Sequence, residues 1–241
     1  MKFKYIAGKE VIVKIFILIQ ILIMAACVEQ QSDKFEAARN RMVKIQIQNR
    51  GVTNSAVLDA MRKVPRHLFV PDEYQSEAYN DYPLPIGYGQ TISQPFIVAY
   101  MTEAVRPSGN MKALEIGTGS GYQAAVLAEL VKEVYTIEIV PELAAESAGR
   151  FKKMKYENIS GKYGDGYQGW PEHAPFDIIV VTAAADQIPQ PLIDQLAENG
   201  RLVIPVGPPA AIQELILITK KNGKPVERRL TYVRFVPFKR L

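Results

Sequence analysis

A strand, a glycine-rich turn and a helix start follow one another directly over Met111–Ala128, and this stretch constrains the fold of the whole chain. Met111–Ile116 is a short apolar run, typical of a buried parallel strand. Three alternating glycines follow, and helical periodicity runs from Gln123 to Val131. Glycines let a backbone approach a ligand closely, and the free N–H groups of a helix start favour polar or anionic groups. The stretch therefore predicts a ligand cradle at the end of a parallel strand.

The composition of this cradle disfavours two common classes of enzyme. An acid inside the strand precedes the alternating glycines: Glu115, Gly117, Gly119 and Gly121. The dinucleotide fingerprint G-x-G-x-x-G would need glycine where Tyr122 stands, which argues against an NAD-dependent dehydrogenase. A serine hydrolase would need G-x-S-x-G around Ser120, but Thr118 stands two places before it.

A second carboxylate follows the next apolar run. Glu138 comes directly after Val134–Ile137, seventeen residues past Gly121. A carboxylate at the end of the second strand of a nucleotide-binding βαβ unit commonly binds ribose hydroxyls. A glycine turn that only packs a helix on a strand would leave this spacing unexplained. The spacing resembles that of the class I S-adenosylmethionine-dependent methyltransferases.

Strand and helix patterns alternate along the rest of the chain. Helices are predicted from Pro141 to Met154 and from Pro189 to Leu196. Further strands are predicted near Ile159 and at Phe176–Val181, Gly200–Gly207, Glu214–Thr219 and Leu230–Val236, with an Asn222-Gly223 turn between the last two. The alternation predicts an α/β fold: a Rossmann-like, doubly wound, mostly parallel sheet with helices on both faces and a C-terminal antiparallel hairpin.

Two helices are predicted before the glycine stretch. The first spans Phe35–Gln48 and is ended by Gly51. The second has Thr53 or Asn54 as its N-cap and runs to Lys63. A long loop rich in Pro, Gly and Tyr then runs from Tyr79 to Gln94. Ser93 has two interpretations. It is an N-cap for the helix that ends near Val105, or it is a functional group on a loop whose length favours a function.

The net charge, the single cysteine and the two histidines argue against several kinds of site. The formal net charge is +4, but the first 26 residues carry four lysines and one acid, so the remainder is nearly neutral. No basic stripe indicates nucleic acid. The single cysteine, Cys27, excludes an intramolecular disulfide. The two histidines, His67 and His173, lack the spacing of metal ligands, so no metal site is expected.

The N-terminus resembles a signal peptide. A lysine-bearing start leads into the apolar run Ile15–Ala26, which is interrupted by Gln20 and ends in Ala25-Ala26-Cys27. This run is too short to span a bilayer comfortably. Cysteine after two small residues is similar to a bacterial lipoprotein signal, in which Cys27 becomes the lipidated first residue. The alternative is an upstream extension, with translation beginning at Met24 or Met42.

Several motifs together resemble the protein-L-isoaspartate O-methyltransferases, a family of protein-repair enzymes. The resemblance runs from about Val64 to the C-terminus. The loop before the glycine stretch is the most specific motif, because many methyltransferases share the glycine motif. The motifs are ValProArgHisLeuPheVal at 64–70, TyrGlyGlnThrIleSerGlnPro at 88–95, GluIleGlyThrGlySerGlyTyr at 115–122, GlyAspGly at 164–166, ProPheAspIleIleVal at 175–180 and PheValPro at 235–237.

The resemblance implies a role for Ser93 as the active-site serine beside an isoaspartyl group, with Thr91 and Ile92 also contacting the substrate. The chemistry agrees. An isoaspartyl carboxylate with a pKa of ~4 is already a nucleophile at neutral pH, and a sulfonium methyl is already activated. No strong base or metal is needed, so Ser93 would orient the acceptor as a hydrogen-bond donor. The resemblance further implies that the methyl ester collapses to a succinimide, whose hydrolysis restores part of the chain to aspartate.

The resemblance also implies S-adenosylmethionine as the cofactor. Gln94 and Phe96 would lie near its methionine end, Glu138 at the ribose and Asp165 at the adenine, while Gln213 aligns loosely. The implied cofactor contacts are Gln94, Phe96, Glu115, Gly117, Thr118, Gly119, Ser120, Gly121, Glu138, Asp165, Gly166 and Gln213.

Four segments follow from these assignments. Residues 1–27 form the signal-peptide-like segment and 28–40 a tether. The methyltransferase domain spans 41–241, with N-terminal helices and the substrate loop in 41–110 and the cofactor-binding core in 111–241. A small-molecule or other carboxyl O-methyltransferase, or a non-catalytic, membrane-tethered S-adenosylmethionine-binding module, is the alternative function.

The resemblance and the intracellular supply of S-adenosylmethionine predict a cytoplasmic protein. Export as a membrane-anchored lipoprotein through Cys27 is the alternative. The expected partners are isoaspartyl-containing proteins and peptides and not nucleic acid. A monomer is expected, with membrane contact only if Cys27 is lipidated.

Overall fold

The protein is described by a computed structural model that defines Gln20, residues 35–208 and residues 211–240. Its strands in these ranges are β1 (Leu84–Gly87), β2 (Gln90–Ile92), β3 (Lys112–Ile116), β4 (Glu133–Glu138), β5 (Ile159–Tyr163), β6 (Phe176–Val181), β7 (Leu196–Val206), β8 (Gln213–Lys221) and β9 (Lys224–Val233). Its helices are α1 (residues 35–50), α2 (Ser55–Lys63), α3 (Pro95–Val105), α4 (Tyr122–Ala128), α5 (Pro141–Lys153) and α6 (Gln190–Asp194).

A seven-stranded sheet forms the centre, in the order β5-β4-β3-β6-β7-β8-β9. The pairs from β5 to β7 are parallel, and the β7–β8 and β8–β9 pairs are antiparallel. Strand β3 is central and almost wholly buried, which explains why its sequence is a continuous apolar run around Glu115. The carboxyl ends of β3, β4 and β6 meet at one edge, where ligands bind in open α/β sheets.

Apolar clusters cover both faces of the sheet. Alternate residues of β3 and β6 point to opposite sides, so Ala113 and Ile178 join one cluster while Leu114 and Ile179 join another. The first cluster includes residues of α3 and α4, and the second includes residues of α6. The predicted Rossmann-like fold with helices on both faces and an antiparallel C-terminal hairpin is confirmed.

Helix α1 differs from a regular α-helix. It is α-helical over 35–41, π-helical over Met42–Ile47 and 3₁₀ over Gln48–Arg50, and it ends at Gly51 in the left-handed region with φ 101°. The predicted glycine stop is therefore confirmed. The Asn54 side chain accepts a hydrogen bond from the Val57 N–H, which confirms the asparagine cap of α2.

The predicted structureless loop over Tyr79–Gln94 is wrong in part, because β1 and β2 form an antiparallel hairpin within it. Pro85 lies in β1 opposite Thr91, which is tolerated because this two-stranded sheet has only edge strands. The predicted N-cap at Ser93 is also wrong. Helix α3 begins at Pro95, its cap position is Gln94, and no side chain caps it.

Two strand boundaries also differ from the prediction. Strand β7 begins at Leu196 and not at Gly200, because Leu196 already pairs with Phe176 of β6. An irregular segment that includes Asn199 in the left-handed region (φ 63°) follows, and regular pairing resumes at Arg201. Strand β9 spans Lys224–Val233, earlier than the predicted Leu230–Val236. This edge strand exposes nearly all of its side chains, so its sequence lacks the alternation that marks a half-buried strand.

The N-terminal predictions for residues 1–27, with Cys27, Met24 and the tether up to residue 34, lie outside the residues that the structure describes, Gln20 excepted. In the described ranges, no helix is both long and apolar enough to span a membrane.

Candidate active site

The glycine loop between β3 and α4 has a backbone that only glycine adopts readily. Gly117, Gly119 and Gly121 all have positive φ, at 95°, 51° and 87°. The loop is also tightly packed, since a Cβ at Gly121 would stand 2.6 Å from the Phe151 ring. The Arg150 guanidinium donates a hydrogen bond of 2.6 Å to the Ser120 carbonyl. These contacts hold the predicted cradle in one shape.

Glu138 lies at the end of β4, next to this loop. Its Oε2 accepts a hydrogen bond of 2.6 Å from the Gly119 N–H, and its Oε1 accepts from the N–H groups of Ile139 and Val140, each at 2.9 Å. Three backbone donors therefore orient a carboxylate whose residue is 5% exposed. Charge-assisted hydrogen bonds of this kind hold the carboxylate in one orientation.

Glu115 lies beneath the loop and is completely buried. Its Oε2 accepts a hydrogen bond of 2.5 Å from Thr136, whose hydroxyl also lies 2.6 Å from that of Thr118. Its Oε1 has no hydrogen-bond partner within the described residues. Burial raises the pKa of Glu115 to about 8, with the Thr136 hydrogen bond opposing this and the charge of Glu138 adding to it. The loop therefore rests on a carboxyl group that tends to keep its proton.

Three cavities open at this edge of the sheet. The first is lined by Gly117, Gly119 and Glu138 and by residues 236–239. The second, of about 460 Å³, lies between Ser93 and residues 232–236. The third lies between Ser93 and the glycine loop. Thr91 lines all three cavities, and the third joins the predicted substrate and cofactor regions.

Ser93 lies in the segment between β2 and α3, where it lines the second and third cavities. It is half-buried, and its hydroxyl forms no hydrogen bond with any residue in the described part of the chain. Ile92, its neighbour, lines the third cavity and is buried in the N-terminal core. Ser93 thus borders two cavities with a hydroxyl that no described residue engages, so the hydroxyl is available to a ligand.

Most of the predicted cofactor residues lie together, and a few do not. Gly117 and Gly119 line the first and third cavities, Glu138 and Gly166 line the first, and Glu115, Thr118 and Ser120 line the third. Gly121 begins α4 behind them as its N-cap. Gln94 lines the second cavity, where its amide donates to Asp81.

Three predicted residues point elsewhere. The Gln213 side chain is buried between the Pro208 carbonyl and the Phe235 N–H, at 3.3 and 2.9 Å. The Phe96 ring stacks under the Arg50 guanidinium, 3.8 Å from its carbon. Asp165 accepts hydrogen bonds from the Tyr167 N–H and from Arg240. None of the three lines a cavity described above.

Thr182 was missed by the reasoning from sequence. It follows β6 directly and lines all three cavities. Ile139 and residues 232–239 were missed as lining residues as well. The loop after a central parallel strand is a common place for ligand contacts. The position of Thr182 directly after a predicted buried strand therefore indicates a site residue.

The residues present fit S-adenosylmethionine. Gly117, Gly119 and Gly166 line the cavities and have no side chains that could fill them. At Gly166, a Cβ would also collide with the Ile116 side chain. Glu138 offers carboxylate oxygens to hydroxyls, and Glu115 borders the third cavity. In the described ranges, no three His, Cys, Asp or Glu side chains cluster so that they could hold a metal ion.

Comparisons with known proteins agree with this geometry. The family model for protein-L-isoaspartate(D-aspartate) O-methyltransferase matches residues 37–240. A protein-L-isoaspartate O-methyltransferase from Opitutus terrae is 59% identical over 84% of this chain and 87% of its own length. Another from Gloeobacter violaceus is 60% identical over 83% and 97%.

A solved structure has the same fold. A Plasmodium falciparum protein assigned to the same methyltransferase class was crystallised in complex with S-adenosyl-L-homocysteine. It is 29% identical, superposes with a TM-score of 0.72, and is matched over 83% of this chain and 98% of its own. From the family model and the close relatives together, the chain belongs to the protein-L-isoaspartate(D-aspartate) O-methyltransferase family.

Proposed function

We propose that the protein transfers the methyl group of S-adenosylmethionine to the free carboxylate of L-isoaspartyl residues in damaged proteins and peptides, which starts their repair. Family membership supports this activity directly. The observation that carries the reaction is the position of Ser93. Ser93 lines both the second cavity and the third, its hydroxyl has no partner among the described residues, and the third cavity reaches the glycine loop.

The first and third cavities would hold the cofactor. Glu138 would accept hydrogen bonds from the ribose hydroxyls, with Gly166 beside the adenine, and the glycine loop would line the methionine part. When bound, S-adenosylmethionine supplies a methyl group that its sulfonium has already activated. The protein therefore needs to bind, orient and exclude water, and orientation effects of this kind contribute roughly 7–11 kcal/mol.

The second cavity would hold the isoaspartyl segment of the substrate. Its 460 Å³ lie between Ser93 and Tyr232, Arg234 and Phe235, a mixture of apolar and polar surface that suits an extended peptide. Ser93 would donate a hydrogen bond to one carboxylate oxygen. The other carboxylate oxygen would then face the third cavity. A carboxylate with a pKa of ~4 is ionised at neutral pH, so no group has to remove a proton.

Methyl transfer to a defined peptide tests this function. The protein is incubated with methyl-labelled S-adenosylmethionine and either an isoaspartyl peptide or the same peptide with normal aspartate. We expect label in the isoaspartyl peptide alone. Equal labelling of both peptides would indicate a general carboxyl methyltransferase. Binding of S-adenosylhomocysteine without any transfer would indicate the non-catalytic module.

We further propose that the protein works as a monomer in the cytoplasm, where its cofactor is made. The lysine-bearing start and the Ala25-Ala26-Cys27 sequence support the alternative, a form anchored through a lipidated Cys27. The two forms would share the same active site and differ only in the substrates that they meet.

A further inference from the structure

We propose that Thr182 is a positioning residue that holds the first peptide of the glycine loop in its ligand-binding orientation. Its place in the fold is the first observation. Thr182 follows the central strand β6 and borders all three cavities, as does Thr91. It therefore stands where the proposed cofactor and acceptor sites meet.

The hydrogen bonds of Thr182 are the second observation. Its Oγ1 lies 2.7 Å from the Gly117 carbonyl oxygen and 3.0 Å from that of Ile116. A threonine hydroxyl has a single proton, so the two carbonyls share one donor. The Thr182 N–H donates a further bond of 2.9 Å to Ile116. One residue thus holds two consecutive carbonyls at the point where β3 becomes the loop.

The fit between Thr182 and Gly117 is the third observation. A Cβ at Gly117 would stand 2.5 Å from the Thr182 Oγ1, and Gly117 has a φ of 95°. The hydroxyl therefore occupies the space that a side chain at 117 would need. Position 117 requires glycine both for its backbone conformation and because Thr182 approaches so closely.

Together these contacts fix the peptide between Gly117 and Thr118 from both sides. On one side of this peptide, the Thr182 hydroxyl donates to the Gly117 carbonyl oxygen. On the other side, the Thr118 N–H lies 3.3 Å from the Ile137 carbonyl oxygen of β4. Without the hydroxyl, only the long N–H bond to Ile137 would hold this planar peptide, and the cofactor would have to order it on binding. Removing such ordering from the binding step increases affinity without any added contact to the ligand.

The inference rests on the proposed cofactor site, and the test separates the two. Calorimetry measures S-adenosylhomocysteine binding to the wild type, Thr182→Ala and Thr182→Ser, and steady-state assays give KM for S-adenosylmethionine and kcat. We expect Thr182→Ala to lose about fivefold to tenfold in affinity and to raise KM similarly, with kcat at saturation within about twofold. Thr182→Ser keeps the donor and should stay within about twofold of the wild type in affinity and KM.

Ser147→Ala is the matched control. Ser147 is buried and, like Thr182, donates its hydroxyl to a backbone carbonyl, that of Ala144 at 3.1 Å, but it borders none of the three cavities. It should change melting temperature without changing affinity. If Thr182→Ala behaves like Ser147→Ala, the positioning role is wrong. If the wild type itself fails to bind S-adenosylhomocysteine, the cofactor site is wrong instead.

A second pair of variants covers the case in which alanine at 182 prevents folding. Serine and cysteine have similar shapes, but a thiol is a weak donor. Thr182→Cys should then bind S-adenosylhomocysteine several-fold more weakly than Thr182→Ser. Equal binding by the two would overturn the proposal.

Discussion

The Gly119 N–H donates a hydrogen bond of 2.6 Å to Oε2 of Glu138, so the carboxylate at the end of β4 is tied to the glycine loop that leaves β3. Together with the bonds from Ile139 and Val140 to Oε1, this contact orients the carboxylate in the first cavity. Glu138 thus has a structural role in the loop besides its proposed role at the ribose.

Glu138→Ala should weaken S-adenosylmethionine binding by roughly 1–3 kcal/mol, because hydrogen bonds to a charged group are lost and the loop loses an anchor. Calorimetry on the folded variant measures this. Glu142→Ala, which removes an exposed acid four residues further on in α5, is the control and should bind like the wild type. Unchanged affinity in Glu138→Ala would contradict the ribose assignment.

Ser93→Ala should reduce kcat/KM for an isoaspartyl peptide tenfold or more and barely change the cofactor affinity. The melting temperature should also hold, because Ser93 does not cap α3. Asn54→Ala provides the contrast. It removes a true N-cap and should cost about 0.5–2 kcal/mol of stability with turnover retained. A Ser93→Ala variant that loses stability but keeps full activity would contradict the proposed role.

The buried carboxyl of Glu115 should make stability fall as pH rises. Its pKa is about 8 in the folded protein against an ordinary value of 4.5, so between these values the folded state holds a proton that the unfolded state has released. The stabilisation is complete below pH 4.5 and is lost as pH rises to about 8.

Urea unfolding of the wild type and Glu115→Gln from pH 5 to 8.5 measures this effect. Glutamine does not titrate, so the stability of the wild type relative to this variant should decrease across the range. The comparison also cancels the contribution of His67, whose pKa burial lowers and whose effect has the opposite sign. A constant difference between the two proteins would show that Glu115 is ionised throughout.

The location of the protein is tested by fractionating cells that express the full chain and a Cys27→Ala version. We expect both in the cytoplasmic fraction, because the proposed cofactor is made there. A wild-type protein in the membrane fraction, at a mass lacking residues 1–26 and released by the substitution, would establish the lipidated form.

The sequence by itself determined the parts whose causes are local. The apolar run of β3, the positive-φ glycines and the start of α4 are adjacent in the chain, so their spacing predicted the cradle. The fold class followed in the same way, since alternating strand and helix patterns imply a parallel sheet. The predicted helix cap at Asn54, the helix stop at Gly51 and the turn at Asn222-Gly223 were also confirmed, because caps and tight turns depend on a few neighbouring residues.

The tertiary structure decided the contacts between residues that are distant in the chain. Thr182 reaches the Ile116 carbonyl across a separation of 66 residues, and Arg240 reaches Asp165 across 75. The β1–β2 hairpin was not predicted because its strands span only four and three residues, and β1 contains Pro85 and Gly87, which are uncommon inside strands. Ser93 resembled a cap by local rules, but it directly follows β2, does not cap α3 and lines two cavities. Sequence patterns reflect local conformational preferences. Which distant side chains come into contact is determined by the pairing of β3, β4 and β6 in one sheet, because their carboxyl ends then lie side by side.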